Sequence, residues 1–160
     1  MRHLLALALS ATSLFLTVPA QADTYNLTLE PTTVTAAGKT SPALSINGQI
    51  PGPLLRWRDG EDVTINVTNK LKEDASIHWH GIILPQAMHG VPGLGFEAIK
   101  PGETRTYRFV VQQSGTYWYH SHSGLQEQLG VFAPIIIDPA GPDGIDADRE
   151  YVVILSDWLK

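Results

Sequence analysis

Asp59-Gly60-Glu61-Asp62-Val63-Thr64-Ile65-Asn66-Val67-Thr68-Asn69 is the stretch on which the fold turns. A Gly-containing turn opens it, and Val63, Ile65 and Val67 then alternate with Thr64, Asn66 and Thr68. Period-two alternation of branched apolar and polar residues is the pattern of a half-buried strand. The same pattern returns at Tyr107, Phe109 and Val111 against Thr106, Arg108 and Val110. Turn signals at Asn47-Gly48, Pro51-Gly52-Pro53, Pro101-Gly102 and Ser114-Gly115 cut the chain into short runs. Strands are predicted near 24–29, 42–46, 54–57, 61–69, 76–81, 104–111, 116–121, 129–137 and 150–155. No segment carries the period of a long amphipathic helix. So many short strands in one domain predict an all-β Greek-key sandwich or barrel. The run from Ile82 to Lys100 is long for a connection in a compact domain and holds Pro85, Gly90, Pro92, Gly93 and Gly95. Loops of that length are usually functional. Residues 139–148 (PAGPDGIDAD) read as a hinge or edge connection.

The first residues read as a targeting segment. Arg2 and His3 precede an apolar stretch from Leu4 to Val18, and Ala20-Gln21-Ala22 offers the small residues a signal peptidase needs. The stretch is shorter than the ~20 residues of a membrane-spanning helix. Residues 1–22 are therefore expected to be a signal peptide and 23–160 one domain, exported to the periplasm or secreted, with no membrane span after cleavage. There is no twin-arginine pair, which favours export in the unfolded state. Of the 160 residues, 16 are acidic and 11 basic, for a net charge of −5. No Lys/Arg run occurs, which argues against nucleic acid as a partner. The chain contains no cysteine, so it has neither disulfides nor a thiolate for metal binding or nucleophilic attack.

Four of the six histidines form two H-x-H pairs, His78-Trp79-His80 and His120-Ser121-His122. On a strand, residues i and i+2 share a face with Cα atoms ~6.5 Å apart, so each pair presents two imidazoles side by side. One such pair is most simply two polar residues at a solvated strand end. Two pairs, each beside aromatic residues and glycine, point to a metal site. Imidazole accepts Zn, Cu, Fe or Ni, so the spacing alone leaves the metal open. The acidic and hydroxyl residues nearby form no nucleophile–base arrangement of a hydrolase.

Ile77-His78-Trp79-His80-Gly81, then Gly90-Val91-Pro92-Gly93, then Gly115 to Gly124 (GTYWYHSHSG) resemble the first domain of multicopper oxidases. Leu125-Gln126-Glu127-Gln128 and Ser156-Asp157-Trp158 are similar to the copper-resistance branch of that family. The resemblance runs from about Leu44 to the last residue. It implies a plastocyanin-like, cupredoxin fold and copper as cofactor. By motif position it implies His78 as ligand of the type 2 copper, His80 and His120 as ligands of one type 3 copper, and His122 as ligand of the other. In that family the remaining ligands of the trinuclear cluster, and the thiolate-containing type 1 site, come from a later cupredoxin domain. The chain is thus expected to be a first domain cut off from its C-terminal partners, carrying half of the cluster's ligands and no type 1 site. Oxygen is the partner of the complete enzyme. A freestanding copper-scavenging protein is the second reading, and a zinc-bearing structural domain a third.

Met88 reads as a packing residue more than a thioether ligand. His89 stands where the resembled family commonly has an acid that assists proton delivery. A histidine can carry protons, although an exposed loop histidine is the plainer reading. Trp57, Trp79, Trp118 and Trp158 read as core or interface aromatics. Asn26-Leu27-Thr28 and Asn66-Val67-Thr68 match glycosylation sequons but fall in predicted strands.

Overall fold

The computed structural model describes residues 23–145 and 147–158. The expected signal segment, residues 1–22, lies outside the described residues. Among those described, no helix is long and apolar enough to cross a membrane.

Among the described residues eight strands form: β1 (Asp23–Ala36), β2 (Lys39–Ile46), β3 (Leu55–Arg58), β4 (Asp62–Asn69), β5 (His78–His80), β6 (Thr104–Val110), β7 (Gly115–His120) and β8 (Phe132–Asp138). They build two four-stranded sheets, ordered β2-β1-β4-β6 and β3-β8-β7-β5. β1 runs parallel to β4 and β3 parallel to β8, whereas the other pairs are antiparallel. The expected all-β sandwich is therefore present, with the crossing connections of a Greek-key, cupredoxin-like fold.

The alternation in β4 does what its pattern predicts. Val63, Ile65 and Val67 are fully buried between the sheets. Their polar alternates line the outer face, where the Thr106 hydroxyl donates to Asn66 Oδ1 at 2.7 Å and Asn66 Nδ2 donates to Asn26 Oδ1 at 3.0 Å. Both sequon asparagines thus sit in a cross-strand ladder. β8 is different: Phe132 to Ile137 are all buried, because this central strand is covered on both faces.

Trp79 occupies the centre of the core. Its ring lies 5.2 Å from that of Tyr107, 5.6 Å from Tyr119 and 6.0 Å from Trp57. Burying a Trp side chain of ~200 Å² contributes roughly 5 kcal/mol at ~25 cal/mol per Å². Since Trp79 is the middle residue of β5, its anchoring turns the two flanking histidines to the opposite face.

Two expectations need correcting. β1 and β2 extend past the predicted limits into a hairpin whose turn, Ala37-Gly38, has φ of 49° and 78°. Both residues are left-handed, as a type I′ turn requires. Residues 150–155 form no strand. Tyr151, Val153 and Leu155 are 75, 76 and 92% exposed, and without a neighbouring strand to complete a ladder even a β-branched apolar run has no reason to become one. The expected long loop is present between β5 and β6, stiffened by one 3₁₀ turn at Gln86–Met88 and tied down by paired Ala75–Ile99 backbone hydrogen bonds. Met88 packs half-buried against the core.

Candidate metal centre

Strand register decides which histidines meet. β5 pairs with β7 so that His78 stands opposite His120 and His80 opposite Trp118. Ring centroids of His78, His80 and His120 form a nearly equilateral triangle with sides of 5.6, 5.4 and 5.4 Å. One ring nitrogen from each can be chosen so that all three lie within 4.8 Å of one another. His80 Nδ1 and His120 Nε2 approach to 3.2 Å. His122 lies beyond the end of β7, outside that group, with its ring 5.8 Å from His78 and 6.2 Å from His120. His120 is buried, His78 half-buried, and His80 and His122 exposed.

The two less exposed histidines have their outer nitrogens engaged. His78 Nδ1 lies 2.7 Å from the His89 carbonyl, which can only accept, so Nδ1 carries the proton and Nε2 keeps its lone pair. His120 Nδ1 lies 2.8 Å from the Ser121 carbonyl and 2.8 Å from Glu127 Oε2, which sets the same tautomer. Burial pushes both imidazoles below the usual histidine range. At His78 the neighbouring histidines add to this and the His89 carbonyl opposes it; at His120 the Ser121 carbonyl and Glu127 oppose it. Both are therefore neutral at pH 7, the form that ligates metal.

The corner after β7 is held by buried polar side chains. Ser121 Oγ donates to Gln126 Oε1 at 2.8 Å, Gln126 Nε2 donates to the Asp74 carbonyl at 2.9 Å, and the His122 amide donates to Ser76 Oγ at 3.1 Å. Trp118 stacks on His120 at 4.1 Å and lies 4.9 Å from His80, so one face of each imidazole is shielded from water. Sequence reasoning placed Trp118 among core or interface aromatics and passed over Ser76, Gln126 and Glu127. Only the motif Leu125 to Gln128 hinted at the last two.

His89 is brought to the site, half-buried in the loop beside His78. Its Nε2 donates to the Leu84 carbonyl at 2.9 Å, closing the loop so that its own carbonyl reaches His78. Gly90 makes this closure possible. Its φ is +73°, and a Cβ there would stand 1.7 Å from the Ile77 carbonyl oxygen.

The donor set fits a small cation of the borderline class. Two nitrogens 3.2 Å apart, each at a metal–nitrogen distance of ~2.0–2.1 Å, subtend an angle of roughly 100° at a shared ion, close to tetrahedral. An all-imidazole, thiolate-free donor group on a Greek-key sandwich is compatible with a copper-oxidase domain. The multicopper oxidase family model matches residues 28–142, and the chain belongs to that family. Its relatives include Copper resistance protein A of Escherichia coli, 53% identical over 151 residues that span 94% of this chain and 25% of that protein. A Copper resistance protein A homolog of Pseudomonas syringae pv. tomato is 56% identical over 134 residues, 84% of this chain and 23% of that protein. The blue copper oxidase of Nitrosomonas europaea superposes with a TM-score of 0.72 at 36% identity, over 76% of this chain and 40% of that one. The chain thus spans about a quarter of the length of those curated relatives. The family implies copper as the metal.

Proposed function

We propose that residues 23–160 act as the first cupredoxin domain of a copper-resistance oxidase and supply half of the ligands of a trinuclear copper cluster. In this reading His80 and His120 share one type 3 copper, His122 serves the other and His78 the type 2 copper. The observation that carries it is the 3.2 Å approach of His80 Nδ1 to His120 Nε2, with His122 set apart from both. When bound, copper would supply one-electron redox chemistry coupling substrate oxidation to the reduction of oxygen to water.

The chain's own residues hold and orient. The His89 carbonyl aims His78 Nε2, β7 presents His120, and Trp118 keeps water from one side of the pair. The sequence has no cysteine, so a type 1 site and the remaining cluster ligands must come from further cupredoxin domains. Export to the periplasm rests on the leader-like residues 1–22, and a role in copper resistance on the names of the relatives.

The test is Cu(II) titration with a competing chelator, combined with oxygen uptake in the presence of a phenol or Cu(I). The full chain is expected to bind copper, and His80→Ala/His120→Ala to lose most of that binding. Oxygen uptake should not exceed that of free Cu(II). Unchanged copper stoichiometry in the double variant would sink the ligand assignment. Sustained turnover by the unmodified chain would sink the incomplete-cluster reading. Copper binding that stays non-catalytic when the missing domains are added would favour a scavenging protein.

A further inference from the structure

We propose that Glu127 is a positioning residue that strengthens His120 as a copper donor; this rests on the reading of His120 as a ligand. Glu127 Oε2 lies 2.8 Å from His120 Nδ1, on the ring edge away from Nε2, the nitrogen that faces His80. The carboxylates of Asp138, Glu150, Glu30 and Asp74 pair with Arg or Lys side chains, whereas that of Glu127 lies against the neutral imidazole of His120. A backbone carbonyl, that of Ser121, already accepts from the same Nδ1–H, so the tautomer alone does not call for an acid. The carboxylate adds charge. A negative charge 2.8 Å from the outer nitrogen favours electron density at Nε2 and raises its strength as a donor, as outer carboxylates do in carboxylate–histidine–metal triads.

The carboxylate is set in place before any metal arrives. Glu127 sits in the turn between β7 and β8, where its carbonyl accepts from the Gly130 amide at 3.0 Å and the neighbouring Gln126 side chain is buried and bonded at both ends. Gly130 lies against the Leu44 carbonyl, where a Cβ would approach to 2.3 Å, so the turn has little room to shift. Trp118, stacked on His120, walls the same pocket of ~370 Å³ as Glu127. Ring plane and outer nitrogen of His120 are therefore both constrained, one by the indole and the other by the Ser121 carbonyl with the acid beside it.

The experiment compares the full chain with Glu127→Gln, nearly isosteric but uncharged, and with His120→Ala. Cu(II) affinity is measured against a competing chelator, with thermal melts to confirm folding. Glu127→Gln is expected to weaken Cu(II) binding by about tenfold or more with an unchanged melt of the metal-free protein. In the metal-free state, the His120 Nδ1–H proton should move upfield in the variant, a signature that a packing role would leave unmoved. Affinity within about twofold of the parent, with His120→Ala strongly weakened, would overturn the role of Glu127 and leave the ligand reading standing. Affinity unchanged in His120→Ala as well would overturn both.

Discussion

Replacing Gly90 by alanine tests whether the β5–β6 loop and the metal site are one unit. Position 90 holds φ at +73°, and a residue with a Cβ in the left-handed region costs about 1–2 kcal/mol. The new methyl would also stand 1.7 Å from the Ile77 carbonyl oxygen and 2.6 Å from its carbon, roughly 1.8 Å short of a comfortable ~3.5 Å contact. Ile77 is fully buried, so the loop must move instead, at an overpacking cost of about 1–3 kcal/mol. The expected destabilisation is therefore about 2–5 kcal/mol. Movement on that scale breaks the 2.7 Å hydrogen bond from His78 to the His89 carbonyl, and losing an orienting partner lowers metal affinity about 10–100-fold. Gly102 supplies the control: its φ is +82° but nothing lies within 4 Å of a Cβ, so Gly102→Ala should cost only the backbone term, about 1–2 kcal/mol. Urea unfolding and Cu(II) competition read the two effects. If Gly90→Ala fell within about 0.5 kcal/mol of Gly102→Ala, below what distinct mechanisms should give, or kept full copper affinity, the coupling of loop to site would be wrong.

Other outcomes follow from the same geometry. Trp79→Ala should lose about 3–5 kcal/mol by cavity formation, and Trp79→Phe less, because the buried Trp79 Nε1 has no hydrogen-bond partner to forfeit; equal losses in a denaturation series would contradict this. Arg56 holds the Asp138 carboxyl below its ordinary range through their hydrogen-bonded pair. A carboxyl lowered in the folded state stabilises above its unfolded pKa of ~3.9 and loses that contribution as pH falls through the folded value. Arg56→Ala should thus flatten the acid limb of a stability–pH profile, by an amount that shrinks in high salt because the pair is exposed; an unchanged acid limb would remove the pair from the account. With no cysteine in the chain, copper-loaded protein should lack the intense blue thiolate-to-copper band, and an absorption spectrum showing that band would refute the imidazole-only site.

How far the sequence could be read depended on whether the deciding contacts were local. The alternation in β4 and β6 located both strands within a residue, because burial on one face leaves a period-two record. His78-Trp79-His80 announced itself for the same reason, with the buried Trp79 between two more exposed histidines, whereas in the second pair Ser121 is buried and His122 lies beyond the end of β7. The ninth strand at 150–155 failed because a strand needs a partner, and pairing is a property of the whole topology rather than of the segment. The hairpin at Ala37-Gly38 carries none of the usual Asn-Gly or Asp-Gly signal, so its turn was silent. Within the site, the facing of His78 and His120, the stacking of Trp118 and the reach of Glu127 all depend on strand register and on a turn that folds back across β7. His89 drew notice for its side-chain chemistry, whereas its loop-closing hydrogen bond and the carbonyl it offers to His78 are contacts no side-chain pattern reports.

β5 has three residues and lies at the edge of its sheet, laddered among the described residues only to β7. Edge strands so short are where amide protons exchange first, since few neighbours must part to expose them. Two of the proposed ligands ride on this strand, and a third is across the seam on β7. A metal gripping both sides would act as a rivet, and opening the seam would then require releasing the ion. Above saturation, each tenfold rise in free copper would deepen the folded state by about 1.4 kcal/mol, and the β5 amides would slow first. Exchange rates at the β5 amides would then report how fully the site is loaded.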